Sequence, residues 1–408
     1  MENEHSRSQI VLAVIAAALG FFVDAYDLLL YSIVRNQSLT GIGLPIDQLL
    51  GTGIDLLNAQ LIGMLIGGVA WGILGDIYGR RSVLFGSIIL YSIATFLNGF
   101  VNSVPTYAIC RFTAGFGLAG ELGAGVTLVS ELMSRENRGY GTMIVAAVGV
   151  LGVVTASLVG DRFPWRTAYL IGGGLGFALL LLRLGVRESP LFNSVKTTSA
   201  SRGNFFALFT NAKRFRKYIC LILVAMPIWY AIGILITFSP EIGKSLGLST
   251  APKASTSVML YYLALTFGDL TNGLLSQIFK NRRKIIGLFM ILTTVFCAGY
   301  FTLGGKSITL FYLMCFLVGW SSGYWAVFIT VSAEQFGTNL RATVAVTAPN
   351  FVRGLTTVLT IAFSHLRTGI GTVPAAALIG AITILVAFVA LLQLEETYGK
   401  DLNYTEPV

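Results

Sequence analysis

Gly20–Val34 reads GFFVDAYDLLLYSIV, two aspartates in a run otherwise suited to hydrocarbon. A carboxylate at the centre of a membrane helix costs about 2.5–3.5 kcal/mol, while each Leu or Phe returns only about 0.3–0.6 kcal/mol. Asp24 and Asp27 must therefore be paired, wetted or protonated if this run crosses a bilayer. They stand three residues apart, so a helix puts both on one face.

The rest of the chain supports a crossing. Its 408 residues are 55% hydrophobic and 12% charged, about half the charged share of a soluble domain. Apolar runs long enough to span fall near 9–34, 52–75, 82–102, 104–131, 139–160 and 166–186. A second set falls near 218–240, 254–279, 285–304, 307–333, 341–366 and 372–394. The expected fold is thus an all-α integral membrane protein with twelve transmembrane helices.

Cations orient it. With both termini cytoplasmic, nineteen Lys and Arg fall on the inner side and seven on the outer, the latter being Arg35, Arg162, Arg166, Lys244, Lys253, Lys306 and Arg367. That bias follows the positive-inside rule. The net charge of +9 is accounted for by topology, so a nucleic-acid partner is not expected. Cys110, Cys220, Cys297 and Cys315 lie in apolar runs without CxxC spacing and read as packing residues. The first apolar run continues into a helix carrying acids, so no cleavable leader is read.

The polar stretch 187–217 separates two halves, giving an N-terminal bundle over 1–186 and a C-terminal bundle over 218–408. A shift of 203 residues brings Glu131 onto Glu334, Arg138 onto Arg341, Gly120 onto Gly323 and Arg80–Arg81 onto Arg283–Lys284. Both halves carry E-x6-R after their fourth span. Six spans per half give a parallel repeat, as in two-lobed transporters.

On these motifs the chain resembles the major facilitator superfamily over essentially its whole length. WGILGDIYGRRSVL carries Gly72-x-Leu74-x-Asp76-x-x-Gly79-Arg80-Arg81, similar to that family's loop between its second and third helices. RESPLF (Arg187–Phe192) and EETYGKDL (Glu395–Leu402) resemble segments of its sugar-porter and metabolite:proton symporter branch, with Glu395 where proline is usual. Gly20–Val34 is similar to the first helix of phosphate:proton symporters. Their GGDYPLS stretch corresponds to Ala119–Gly125, with Glu121 keeping the acid and Leu122 replacing the phosphate-contacting tyrosine.

The resemblance implies two pseudo-symmetric six-helix bundles that alternate between inward- and outward-facing states. It also implies a cytoplasmic lock formed by Asp76, Arg80, Arg81, Glu131, Arg138, Glu334 and Arg341. Span 4 places Glu121 among Gly117, Gly120, Gly123 and Gly125, which permit close helix approach. Glu121 is the first choice for proton carrier, followed by Asp24 and Asp27, and an Asp27–Arg111 pair is geometrically possible. The bland reading is that these acids only neutralise neighbours.

In the second half Asp269 and Arg353 lie near mid-span, either paired with each other or leaving Arg353 to hold an anion. Pro349 and Asn350 suggest a local helix break there. Trp229, Tyr230, Trp320, Tyr324 and Trp325 are candidate substrate contacts, with Trp320 and Tyr324 four apart on one face. His365 is assigned no role. No GxxxxGK[ST] loop, metal-ligand spacing or nucleophile–base set appears, so neither cofactor, metal nor enzymatic chemistry is expected.

The expectation is proton-coupled uptake of a small polar, anionic metabolite by a monomer in a bacterial or archaeal inner membrane, with Arg111 and Arg353 supplying positive charge for the anion and Asp269 and Asn350 also in the substrate site. A proton-coupled exporter and a non-transporting receptor are the alternatives.

Overall fold

In the computed structural model the backbone is described for residues 7–78, 80–121, 138–183 and 205–399; side chains 7–13, 75–77, 80–81, 138–144, 146–147, 338–339, 341–342 and 345–346 fall outside the description. The described chain is helical throughout its spans. In chain order the helices are α1 (Arg7–Gly41), α2 (Leu49–Tyr78), α3 (Arg80–Asn98), α4 (Val104–Leu118), α5 (Arg138–Arg162) and α6 (Trp165–Arg183). There follow α7 (Ala212–Tyr230), α8 (Ser239–Ser245), α9 (Ala254–Ile278), α10 (Arg282–Leu303), α11 (Ile308–Ser321), α12 (Trp325–Glu334), α13 (Thr338–Ile370) and α14 (Thr372–Gln393). Each of the twelve expected spans carries helix, and among the described residues eight stretches are long and apolar enough to cross a membrane by themselves.

The extra pieces come from two interruptions. The seventh span runs from α7 through Pro227 into a π-helical turn at Ala231–Ile236 before α8 begins. Thr237 closes that turn, its backbone N–H and its hydroxyl both donating to the Ile232 carbonyl. A π turn widens the helix and frees side-chain directions, and such turns gather at functional sites. The tenth span breaks between α11 and α12 at Gly323. A Cβ at Gly323 would lie 2.4 Å from atoms of Gly268 and Asp269, and one at Gly268 would lie 2.0 Å from the Trp320 carbonyl oxygen. Only glycine permits that approach of α9 to the break.

Gly120 and Gly323, which the offset of 203 residues pairs, both lie in turns that end helices. Gly120 sits in the two-residue turn that ends α4, packed on Trp71 and Ser87, while its counterpart Gly323 sits in the turn that ends α11. Contacts divide the chain into two compact units. One comprises Met1–Tyr31, Gln37–Gly43 and Ala59–Gly203; the other comprises Ser32–Asn36, Leu44–Asn58 and Asn204–Val408.

Within the first unit, α2 and α4 meet backbone to backbone. Cβ atoms at Gly63, Gly67 and Gly115 would fall 2.1–2.3 Å from carbonyl oxygens across the contact, so small residues set the helix spacing. Trp71 Nε1 donates to the Phe116 carbonyl at 2.7 Å.

The expected break at Pro349–Asn350 is not there: α13 runs unbroken through Pro349. Neighbouring helices and hydroxyls hold a membrane helix together across a proline. The same correction applies to Trp320 and Tyr324, which the break at Gly323 removes from a common face. Trp320 packs on Phe289 and Phe296, whereas the Tyr324 hydroxyl donates to the Val224 carbonyl at 3.1 Å.

Candidate functional site

Two clusters of buried charge form in the first unit. Asp27 is fully buried and accepts a hydrogen bond from Thr95 Oγ1 at 2.8 Å, and Arg111 Nη1 lies 3.7 Å from the same carboxylate oxygen. The possible Asp27–Arg111 pair thus exists. The Arg111 guanidinium lies over the rings of Tyr31 and Tyr169, at 5.4 and 5.7 Å. Tyr169 and Tyr107 share a hydrogen bond of 2.7 Å, and the Tyr107 hydroxyl reaches Ser38 at 3.1 Å. None of the three Arg111 nitrogens has a hydrogen-bond partner among the described residues. The guanidinium is held by charge and by ring faces, an arrangement that leaves its donors available.

The second cluster contains Glu121 and an arginine that sequence reasoning placed among the cytoplasmic cations. Arg183, in the last turn of α6, is 3% exposed and forms an ion pair with Glu121, itself 2% exposed. Arg183 Nη2 also donates to the Ala16 carbonyl of α1 at 3.2 Å. Gly20 lies under the pair: a Cβ there would come 2.2 Å from Arg183 Nη2 and 2.5 Å from Glu121 Oε1. Asp24, one turn along α1 from Gly20, is buried, and its charge acts on Arg183 and on Tyr91. Glu121 follows the two-residue turn that ends α4. Gly123 and Gly125 lie outside the described residues.

The second unit holds a further buried guanidinium flanked by aromatic rings. Arg353 on α13 lies 5.4 Å from the Trp229 ring of α7 and 5.9 Å from the Trp325 ring of α12. The two indoles stand 6.3 Å apart, tilted by 59°. Asn350, three residues earlier on the same face of α13, is also buried. The expected alternative for Asp269 resolves differently. Its carboxylate accepts the Ala326 backbone N–H at 3.0 Å and caps the start of α12, satisfying a donor that a broken helix leaves open. Asp269 thereby positions the first turn of α12, and with it the Trp325 ring beside Arg353. Tyr230 faces elsewhere: its hydroxyl donates to Ala376 at 2.8 Å and its ring packs on Gly380.

Of the lock residues, the side chains of Asp76, Arg80, Arg81, Glu131, Arg138 and Arg341 lie outside the described residues. Glu334 pairs with Arg282 at 3.0 Å, one residue before the basic pair that the repeat singled out. Glu396 in the EETYGKDL segment accepts the backbone N–H groups of Arg282 and Arg283, both at 3.0 Å, as well as those of Thr397 and Tyr398. Burial works to raise its carboxyl, but these four donors outweigh burial and hold it below the ordinary glutamate value.

Sequence reasoning also missed Arg35 as more than an outer cation. It is 1% exposed, pairs with Glu241 at 2.6 Å and lies 4.7 Å from the Phe238 ring centroid. Asn36 donates to the same Glu241 oxygen at 3.0 Å. Cations in the last turns of spans were counted as solvated ends, so neither Arg35 nor Arg183 carried a signal of burial.

The chain is similar in sequence and fold to known proteins. The niacin transporter NiaP of Acinetobacter baylyi is 25% identical over 364 residues, covering 79% of this chain and 80% of that one. A Cupriavidus pinatubonensis protein named "Probable 4-methylmuconolactone transporter" is 26% identical over 396 residues, covering 93% and 89%. A crystal structure of a D-xylose–proton symporter superposes with a TM-score of 0.75 over 97% of this chain and all of that one, at 18% identity, a likeness of fold. The model of the Major Facilitator Superfamily matches residues 9–348. The chain is therefore an integral membrane transporter, not an enzyme, and it belongs to the Major Facilitator Superfamily.

Proposed function

We propose that this transporter imports a small ring-bearing carboxylate together with protons. The observation that carries the reading is the placing of the Arg353 guanidinium beside two indole rings in the second unit. Acids (Asp24, Asp27, Glu121) sit beside guanidiniums in the first unit, and one guanidinium, Arg353, is walled by Trp229 and Trp325 in the second. An indole wall beside a cation suits a flat ring bearing a negative group, with ring against indole and carboxylate on guanidinium. The relatives' names point the same way: niacin and 4-methylmuconolactone are both small ring carboxylic acids.

Coupling follows from electrostatics. A buried carboxylate stays ionised only while a guanidinium accompanies it, because an uncompensated charge in the interior costs several kcal/mol. A movement that parts the pair obliges the acid to take a proton, and its return releases that proton. Alternation between outward- and inward-facing states would then carry protons with the solute. In this reading the transporter works as a monomer in a bacterial inner membrane with both termini cytoplasmic, supported by the inner-side excess of Lys and Arg.

The test uses purified protein in proteoliposomes with labelled niacin as probe. Imposing an inward proton gradient should drive accumulation above the external concentration, and a protonophore should abolish it. Arg353→Gln should lose uptake at concentrations that saturate the wild type. Niacin and other ring carboxylates all failing to accumulate under the gradient would overturn the proposal.

A further inference from the structure

The start of α7, at the end that the cation bias assigns to the cytoplasm, gathers positive charge. Ala212–Lys217 reads AKRFRK, four cations in the helix's first six residues, and no acid stands in that first turn. The N-terminal end of a helix is its positive pole, so these cations sit against the dipole. None of the four belongs to an ion pair among the described residues. Arg216 Nε donates to Gln393 Oε1 at 2.7 Å, and Lys217 Nζ donates to the Gln335 carbonyl at 3.3 Å. Lys213 is exposed, whereas Arg214 is only 7% exposed. Its Nε and Nη1 are buried with no hydrogen-bond partner among the described residues. Its Nη2 donates to Thr210 Oγ1 at 3.3 Å, and Thr210 in turn donates to the Ala207 carbonyl at 3.0 Å.

Topology accounts for exposed cations at such an end. It does not account for a buried guanidinium with open donors, which costs free energy until an acceptor arrives. A phosphate group supplies one, since a guanidinium edge offers two parallel N–H groups to its oxygens. Neighbouring rings indicate what bears the phosphate. A 3-10 turn, Phe205–Leu208, precedes α7. Phe205 is buried between Phe209, 5.1 Å away, and Phe351 of α13, 5.6 Å away, and Phe209 meets Phe215 at 5.7 Å. That pile leaves Phe206 66%, Phe209 44% and Phe215 41% exposed beside the cations. Exposed apolar rings next to a basic cluster suit the boundary between acyl chains and headgroups. We propose that the start of α7 binds the phosphate of an anionic phospholipid. Arg214 holds the phosphate, Lys213 adds charge, and Phe206, Phe209 and Phe215 lie against acyl chain. Thr210 is a positioning residue that aims the guanidinium. Cations crowded here reject a headgroup with its own ammonium, so phosphatidylglycerol is preferred to phosphatidylcholine. The binding does not depend on the proton-coupled reading.

The experiment is native mass spectrometry of the full-length protein released from micelles doped with dioleoylphosphatidylglycerol or dioleoylphosphatidylcholine, with thermal melts on the same samples. The wild type should retain phosphatidylglycerol and melt higher in its presence, with phosphatidylcholine doing neither. Arg214→Gln should weaken that retention about fivefold, the worth of one cation beside a charged headgroup. Phe206→Ser should weaken it as well, because acyl chain is part of what is bound. Inorganic phosphate at the lipid's own concentration should not displace it. Unchanged retention in Arg214→Gln or in Phe206→Ser, or equal retention of the two lipids, would overturn the proposal. So would displacement by inorganic phosphate, which would make this a site for the free anion. Should Arg214→Gln fail to melt cooperatively, Thr210→Val carries the test. It should weaken phosphatidylglycerol retention while melting in phosphatidylcholine stays at the wild-type value, and unchanged retention there also contradicts the proposal.

Discussion

Gly20 and Trp229 carry more of the account than their chemistry suggests. Gly20→Ala removes no charge, yet its methyl would meet Arg183 Nη2 and Glu121 Oε1. Gradient-driven niacin uptake should fall severalfold while melting temperature stays near wild type; proteoliposome uptake and a thermal melt together check this. Trp229→Ala removes one wall of the Arg353 site. A cation–π contact is worth about 0.5–2 kcal/mol, so niacin affinity, read by calorimetry, should weaken about two- to thirtyfold. Asp24, Asp27, Glu121, Arg111 and Arg353 were all legible in the sequence, because a charge inside an apolar run announces its cost. Arg183 and Arg35 were not, because a charge in the final turn of a run looks like any solvated end.

The two interrupted spans decide which side chains face the buried charges. Asp269 caps α12, so Asp269→Ala leaves the Ala326 N–H without its acceptor. Loss of a cap costs about 1 kcal/mol, and the displaced Trp325 should weaken niacin binding as well. Asp269→Asn keeps an acceptor oxygen and should recover both in melting and calorimetry. Glu396 makes a pH prediction. Its folded carboxyl is held below the ordinary value of 4.5, so its stabilising effect is present above 4.5 and is lost as pH falls through the lower folded value. Melting temperature should therefore drop on acidification below that range, and Glu396→Gln should flatten the drop. Neither break was readable as such. Pro349 pointed to one that the helix does not make, while Ala231–Ile236 holds a π turn in a run of ordinary apolar residues.

For the whole molecule, the sequence carried most of the architecture. Membrane thickness sets span length, so the apolar runs could be read as helices before any coordinates, and helix is present in each of them among the described residues. Of the positions related by the offset of 203 residues, Gly120 and Gly323 both lie in the turns that follow α4 and α11. The pairing of charges across helices was much less legible, since spacing along one helix says little about the partner on another. Asp27–Arg111 was found because both lie well inside spans; Arg282–Glu334 and Arg35–Glu241 required the fold. The proposed coupling has solute and proton move together. Its most direct test is to add niacin outside proteoliposomes held with no imposed gradient and record the pH of their lumen. Acidification of the lumen that follows niacin entry and is absent in the combined Asp24→Asn, Asp27→Asn, Glu121→Gln variant is the predicted result. Niacin entry with an unchanged internal pH would contradict it.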